Sequence, residues 1–139
     1  MSERLKSLLT IGIIIGIFLL LSTLFKGPSE QDFEKAGITI LKEANQSELL
    51  SNTNIPTMIL FNTNTCSVCK IFAPKFIDFA KKNRDKARFF VATPTNVNFD
   101  EFKVWAYPTT RIYYKGEILE ELVGNGSLYK FQRIIDNIK

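Results

Sequence analysis

At 139 residues, with 45% apolar and 23% charged side chains, the chain has room for one ordinary domain and an appendage but not for two domains. It has two cysteines and no histidine, which excludes Ser–His–Asp and Cys–His catalysis within one chain and leaves a zinc site two N or S ligands short, so no metal is expected. The net charge of +4 is mild, and the basic residues Lys81, Lys82, Arg84, Lys86 and Arg88, interrupted by Asp85, read as a solvated helix end; no nucleic-acid partner is expected.

Charge is absent from the nineteen residues "SLLTIGIIIGIFLLLSTLF" between Lys6 and Lys26. A helix of that length spans roughly 28 Å, close to the hydrocarbon thickness of a bilayer. An amphipathic core helix would show a polar face, and this one is apolar all round. The run is longer than a signal-peptide core, and no small-residue cleavage pair precedes the linker. Residues 7–25 are therefore expected to be a retained, single-pass transmembrane anchor. Arg4, Lys6 and the terminal amine precede it, whereas Lys26 alone closes it. The positive-inside rule then places the tail, 1–6, in the cytoplasm and the rest of the chain outside, where disulfides persist. Gly12 and Gly16 form a G-x-x-x-G, a spacing that lets two helices approach, so weak dimerisation through that face is left open.

Gly27-Pro28-Ser29 punctuates the end of the span, and 26–36 reads as a linker or short helix. After Gly37, "ITIL" is a short strand. "NQSELLSNTNI" is a brief helix ending in a polar turn. "TMILF", after Pro56, is continuously apolar, as befits a strand covered on both faces. A helical pattern begins at Cys66, with Ile71, Phe72, Phe76, Phe79 and Ala80 on one face; Pro74 lies inside it and is expected to kink the helix without ending it. "ARFFVAT" is a second buried strand. "NFDEFKVWA" is predicted as a short amphipathic helix. "TRIYYKGEILEELVG" reads as a hairpin turning at Lys115-Gly116. Leu128, Phe131, Ile134, Ile135 and Ile138 line the last helix, with Ser127 as its N-cap. The order β-α-β-α-β-α-β-β-α describes an α/β domain, one sheet between helices.

The two cysteines stand as C-S-V-C, Cys66 to Cys69, at a helix start directly after a buried strand. At i, i+3 they are close enough to form a disulfide. Cys66 would lie among unsatisfied helix N–H groups at the positive end of the dipole, which favours the thiolate, the nucleophilic form. With "TMILF" before the pair, Lys70 after it, Ala73-Pro74 beyond, and Tyr107-Pro108-Thr109 before the hairpin, the chain resembles the thioredoxin superfamily over residues 37–139. A C-x-x-C alone is common; on this element order, with Y-P-T downstream, it is specific.

That resemblance implies a thioredoxin-like fold, a central mixed β-sheet flanked by helices, preceded here by one transmembrane helix. It implies Cys66 as the attacking cysteine and Cys69 as the resolving one. It implies a cis Pro108 packed against the pair, Tyr107 offering its backbone to substrate, and Gly124 allowing close backbone approach. Thr65, Ser67 and Val68 would shape the rim. No cofactor is expected beyond a redox-active Cys66–Cys69 disulfide. Partners would be protein thiols and disulfides, with a membrane redox partner to reset the pair. The sequence also departs from the family: Thr65 replaces the usual Trp, Leu60 replaces the buried acid, and Ser67-Val68 matches no familiar subtype. The leading expectation is a membrane-anchored, extracytoplasmic thiol–disulfide oxidoreductase. The alternative is a non-catalytic binding or accessory module with a static disulfide, serving a secretion or envelope system.

Overall fold

The computed structural model describes residues 1–51 and 54–138. Its first helix, α1 (Glu3–Leu24), runs for 22 residues and is capped by Ser2, whose Oγ accepts from the Leu5 N–H at 3.4 Å. No residue of α1 is buried. It is long and apolar enough to cross a membrane, and none of the other described residues covers its side chains.

Within 26–36 stands a second helix, α2 (Glu30–Lys35), opened by a capping box between Ser29 and Asp32. Its Phe33 is buried, and the chain leaves it at Gly37, φ +79, where the Gly37 N–H donates to the Glu34 carbonyl and the Ile38 N–H to the Phe33 carbonyl. The expected linker thus contains the short helix as a docked element.

Five strands form one sheet: β1 (Thr39–Ile40), β2 (Thr57–Phe61), β3 (Arg88–Ala92), β4 (Thr109–Tyr114) and β5 (Glu117–Val123), in spatial order β1-β3-β2-β4-β5. The central β2 pairs parallel with β3 and antiparallel with β4, and all five of its residues are buried, which is why "TMILF" does not alternate. Lys115 and Gly116 both have positive φ, 51° and 79°, the geometry a two-residue hairpin requires between β4 and β5.

Alternate residues of the strands feed two cores. Met58, Leu60, Phe89, Val91 and Ile112 pack under α2, α4 (Ser67–Asn83) and α5 (Tyr129–Asn137). Ile59, Phe61 and Tyr113 point the other way, toward α3 (Glu43–Ser51) and the segment 93–108. α4 buries Cys69, Phe72, Ala73, Phe76, Ile77 and Ala80, and it continues unbroken through Pro74.

Three sequence expectations are corrected. Residues 98–106 form turns, not a helix. A single turn closes with Val104 N–H on the Phe99 carbonyl and Lys103 at φ 54, and the Phe102 and Lys103 carbonyls are taken by the Arg111 guanidinium instead of by following amides. Leu128, not Ser127, is the N-cap of α5; the Ser127 hydroxyl still accepts from the Tyr129 N–H at 3.2 Å. The brief helix read within 45–55 starts two residues earlier, at Glu43, because Asn45 folds its Oδ1 back onto the Lys42 N–H; it ends at Ser51, and residues 52–53 of the polar turn expected after it lie outside those described.

Candidate active site

β2 ends at Phe61, and the four residues 62–65 turn the chain into α4, so the first cysteine stands at the end of the central strand. Cys66 is the N-cap of α4, in extended conformation, and its Sγ accepts from the Cys69 N–H at 3.2 Å. A cap normally offers a side-chain oxygen to that amide; here a sulfur takes the place. One turn on, Cys69 points inward and is 1% exposed, while Cys66 remains half-buried. Both thiols are free. Burial pushes the Cys69 thiol up to about 12, its hydrogen bond to Cys66 adds to this, and the Thr63 backbone works against it.

The second wall comes from the loop before β4. The Tyr107–Pro108 peptide is cis, and the Tyr107 carbonyl lies 3.8 Å from Cys66 Sγ. Pro108 is buried and its carbonyl accepts from the Gly124 N–H at 2.7 Å, so the end of β5 holds this loop against the thiol. Gly124 is required by its φ of +86°, not by crowding: a Cβ there would meet nothing within 4 Å. The structure therefore brings Cys66, Cys69, Tyr107, Pro108 and Gly124 together. Thr65, Ser67 and Val68 lie exposed at the rim, with the Thr65 N–H and hydroxyl turned toward the Thr63 hydroxyl. Leu60 is fully buried in the core beneath α4, so no carboxylate reaches the pair from β2. Among the described residues no three Cys, Asp or Glu side chains gather where a metal ion could sit.

Two features of the site are not foreshadowed by the sequence. Lys26 to Ser29, the chain just beyond α1, line a cavity together with Cys69, with Gly27 so close to Lys70 that a Cβ would come within 2.8 Å of its Cγ. That cavity, of about 260 Å³, lies between this segment and the turn 62–64, and Asn62 lines it too. Asn62 is 5% exposed; its N–H bonds the Ala92 carbonyl, but its Oδ1 has no hydrogen-bond partner. As the first polar residue after an apolar strand, it reads as an ordinary loop residue.

Comparison with known proteins agrees with this geometry. The thioredoxin family model matches residues 37–137. Thioredoxin H3 of Arabidopsis thaliana is 40% identical over 85 residues, covering 60% of this chain and 67% of that protein. Thioredoxin of Coprinus comatus is 28% identical over 91 residues, 63% and 85% of the two chains. Among solved structures, a poplar thioredoxin h mutant superposes with a TM-score of 0.66 at 17% identity, over 74% of this chain and 86% of its own. The thioredoxin of Trypanosoma brucei brucei gives 0.62 at 19% identity, over 73% and 90%. With the family model matching most of its length, and a thiol pair at the head of α4 facing the loop before β4, the chain belongs to the thioredoxin family and is a thiol–disulfide oxidoreductase.

Proposed function

We propose that this oxidoreductase is anchored in a membrane by α1, with residues 1–6 cytoplasmic and the thioredoxin-like domain, 37–139, on the extracytoplasmic side, and that it exchanges disulfides with protein thiols through Cys66 and Cys69. The observation that carries the assignment of roles is the asymmetry of the pair: Cys66 is reachable from solvent and Cys69 is buried behind it. A substrate disulfide meets Cys66 first. The Cys66 thiolate attacks one substrate sulfur, the substrate S–S bond breaks, and a mixed disulfide remains. Cys69 then attacks Cys66 Sγ, the mixed disulfide breaks, and the second substrate sulfur leaves as thiolate. Two electrons pass to the substrate, and Cys66–Cys69 becomes the disulfide, so no other cofactor takes part. The reverse sequence oxidises a substrate dithiol. Tyr107, whose side chain is 40% exposed and whose carbonyl sits against Cys66, lies where an extended substrate segment would run. Thr65, Ser67, Val68 and the backbone at Gly124 border that path.

The anchor reading is supported by the uncovered apolar surface of α1 and by the basic residues before it. Because Lys26–Ser29 lines the same cavity as Cys69 and Gly27 sits against Lys70, the site lies a few residues from the end of the span, and a membrane redox partner is the natural source of reset electrons or oxidant. A Cβ at Gly12 or Gly16 would meet nothing within 4 Å, which leaves that face open to a second copy.

The test is a Cys69→Ser variant expressed full-length. It should accumulate mixed disulfides through Cys66 that thiol reductant releases, and Cys66→Ser/Cys69→Ser should accumulate none; absence of any adduct with Cys69→Ser overturns the exchange reading. Protease added outside intact cells should remove the domain, and full protection overturns the orientation.

A further inference from the structure

The anchor and the active site are joined by almost no chain. α1 ends at Leu24, and by Gly27 the backbone already meets the domain, tight against the Lys70 side chain. From there the chain is fixed: Phe33 of α2 is buried in the core, and the Asn96 side-chain amide donates to Glu30 at 3.4 Å. Three backbone steps reach about 11 Å at full extension, so the contact at Lys70 stays within about that distance of the last turn of α1.

Bilayer dimensions give that distance a meaning. A helix of 22 residues is about 33 Å long, enough to cross a hydrocarbon core of about 30 Å. The headgroup layer beyond it is about 5–7 Å deep on each side. Gly27, Lys70 and the cavity that Cys69 lines therefore fall at or just above headgroup level. This end of the domain also presents the side chains such a layer takes. Trp105 is 76% exposed, two residues before Tyr107, whose carbonyl lies against Cys66 Sγ. Val68 and Ile71, in the first turns of α4, are exposed beside the same thiol. Trp and Tyr gather at membrane–water interfaces, where one end of the ring is wet and the rest is not. Lys26 and Lys70 stand exposed at the edge of this rim, two cations for lipid phosphate, and the Glu30 carboxylate of the adjoining α2 is engaged by Asn96. The other end of the sheet, the hairpin at Lys115-Gly116, is about 20 Å away along the six residues of β4.

We infer that the active-site end of the domain rests on the bilayer that holds α1, with Trp105 and Ile71 in the headgroup layer and Lys26 and Lys70 against lipid phosphates. The inference rests on the anchor reading and deepens it. The tether sets the height of the domain, and the apolar, basic rim sets which end faces down. Cys66 then opens at headgroup level, and the substrates it meets are disulfides and dithiols that membrane-embedded proteins carry next to their own spans.

Trp105 is the only tryptophan of the chain, so its emission reports this end alone. The experiment uses the reduced full-length protein in nanodiscs of phosphatidylglycerol and phosphatidylcholine, with or without bromine on the acyl carbons nearest the headgroup. Bromolipid is expected to quench Trp105 about twofold, and aqueous acrylamide to reach it poorly. In Trp105→Phe/Glu117→Trp, which moves the reporter to the hairpin end, acrylamide should quench and bromolipid should not. A Trp105 open to acrylamide and untouched by bromolipid, the result expected of a rim kept for a protein partner, overturns the inference. So does equal quenching by bromolipid at both ends, and the wild-type measurement decides even if the double variant fails to fold. A lipid with a pyridyl disulfide on its headgroup probes the substrate class. In Cys69→Ser the Cys66 thiolate attacks the lipid-side sulfur, pyridine-2-thione leaves, and the protein becomes lipid-linked. A Cys66 that reacts with soluble 2,2′-dithiodipyridine but forms no lipid adduct overturns the headgroup-level opening. Two other failures are distinguishable: protein that elutes apart from the discs sinks the anchor reading and this inference with it, and a Cys66 inert to both disulfides sinks its attacking role.

Discussion

The two faces of the sheet are covered in different ways. One lies under three helices, with Phe72 and Phe76 of α4, Phe131 of α5 and Phe33 of α2 closing over Met58, Leu60 and Ile112. The other lies under the short α3 and the turns of 93–108, where Phe99, Phe102 and Val104 pack on Phe61 around a buried arginine, Arg111. Each face serves one half of the site: the helical face holds the cysteines, and the irregular face holds the Tyr107–Pro108 loop. The helical face is stabilised by area, the irregular one by a few directed bonds, so they should fail differently.

The largest effect is expected on the helical face. Phe76 is fully buried, and Phe76→Ala should cost about 3–5 kcal/mol through lost burial and the cavity left behind. Urea unfolding of the domain in detergent measures it. A cost below about 1 kcal/mol would mean that α4 does not depend on this face.

Arg111 is the corresponding element on the other side. Its guanidinium bonds Glu121, the Phe102 and Lys103 carbonyls and the Tyr113 hydroxyl, and it stacks 5.5 Å from the Phe61 ring. Arg111→Leu should cost about 2–3 kcal/mol, since it leaves two loop carbonyls short of a donor. Amide exchange should quicken over 98–108 and not along α4. Uniform quickening would show that the two faces are one cooperative unit.

This contrast also explains what is legible in the sequence. Phe72, Phe76 and Ala80 recur at helical steps, and β2 announces itself by unbroken apolarity; both are periodic signals that local residues carry. Residues 98–106 show an equally helical pattern, yet their carbonyls are claimed by Arg111, which arrives from the neighbouring strand. Nothing near Phe102 in sequence reports that. Cys66, Cys69, Tyr107 and Pro108 are found through a motif spread over two segments. Asn62 escapes it because a polar residue directly after an apolar strand gives no local sign of being buried.

A third way to separate the faces is pH. Cys69 on the helical face is raised from 9.0 to about 12 by burial, while Tyr113 on the other face is also raised by burial. A folded value above the unfolded one means stability that is full below about pH 9 and lost as pH rises toward 12. Reduced wild type should therefore lose Tm over that window faster than reduced Cys69→Ala, which keeps Tyr113. Parallel curves would assign the alkaline loss to the irregular face alone.

The smallest effect probes the turn that replaces the expected helix. Lys103 is exposed and held at φ 54, a conformation costly for a residue with a Cβ. Among the described residues its side chain makes no bond that Lys103→Gly would lose, and the carbonyl that accepts from Arg111 belongs to the backbone and survives. Glycine relieves the left-handed strain but adds freedom to the unfolded chain, so the two terms oppose. The balance should be a gain of about 0.5–1 kcal/mol, with Lys103→Ala giving none, because alanine keeps the Cβ. If glycine and alanine prove equally neutral in urea unfolding, the turn at 99–104 is not under strain. The irregular face would then owe its shape to Arg111 alone.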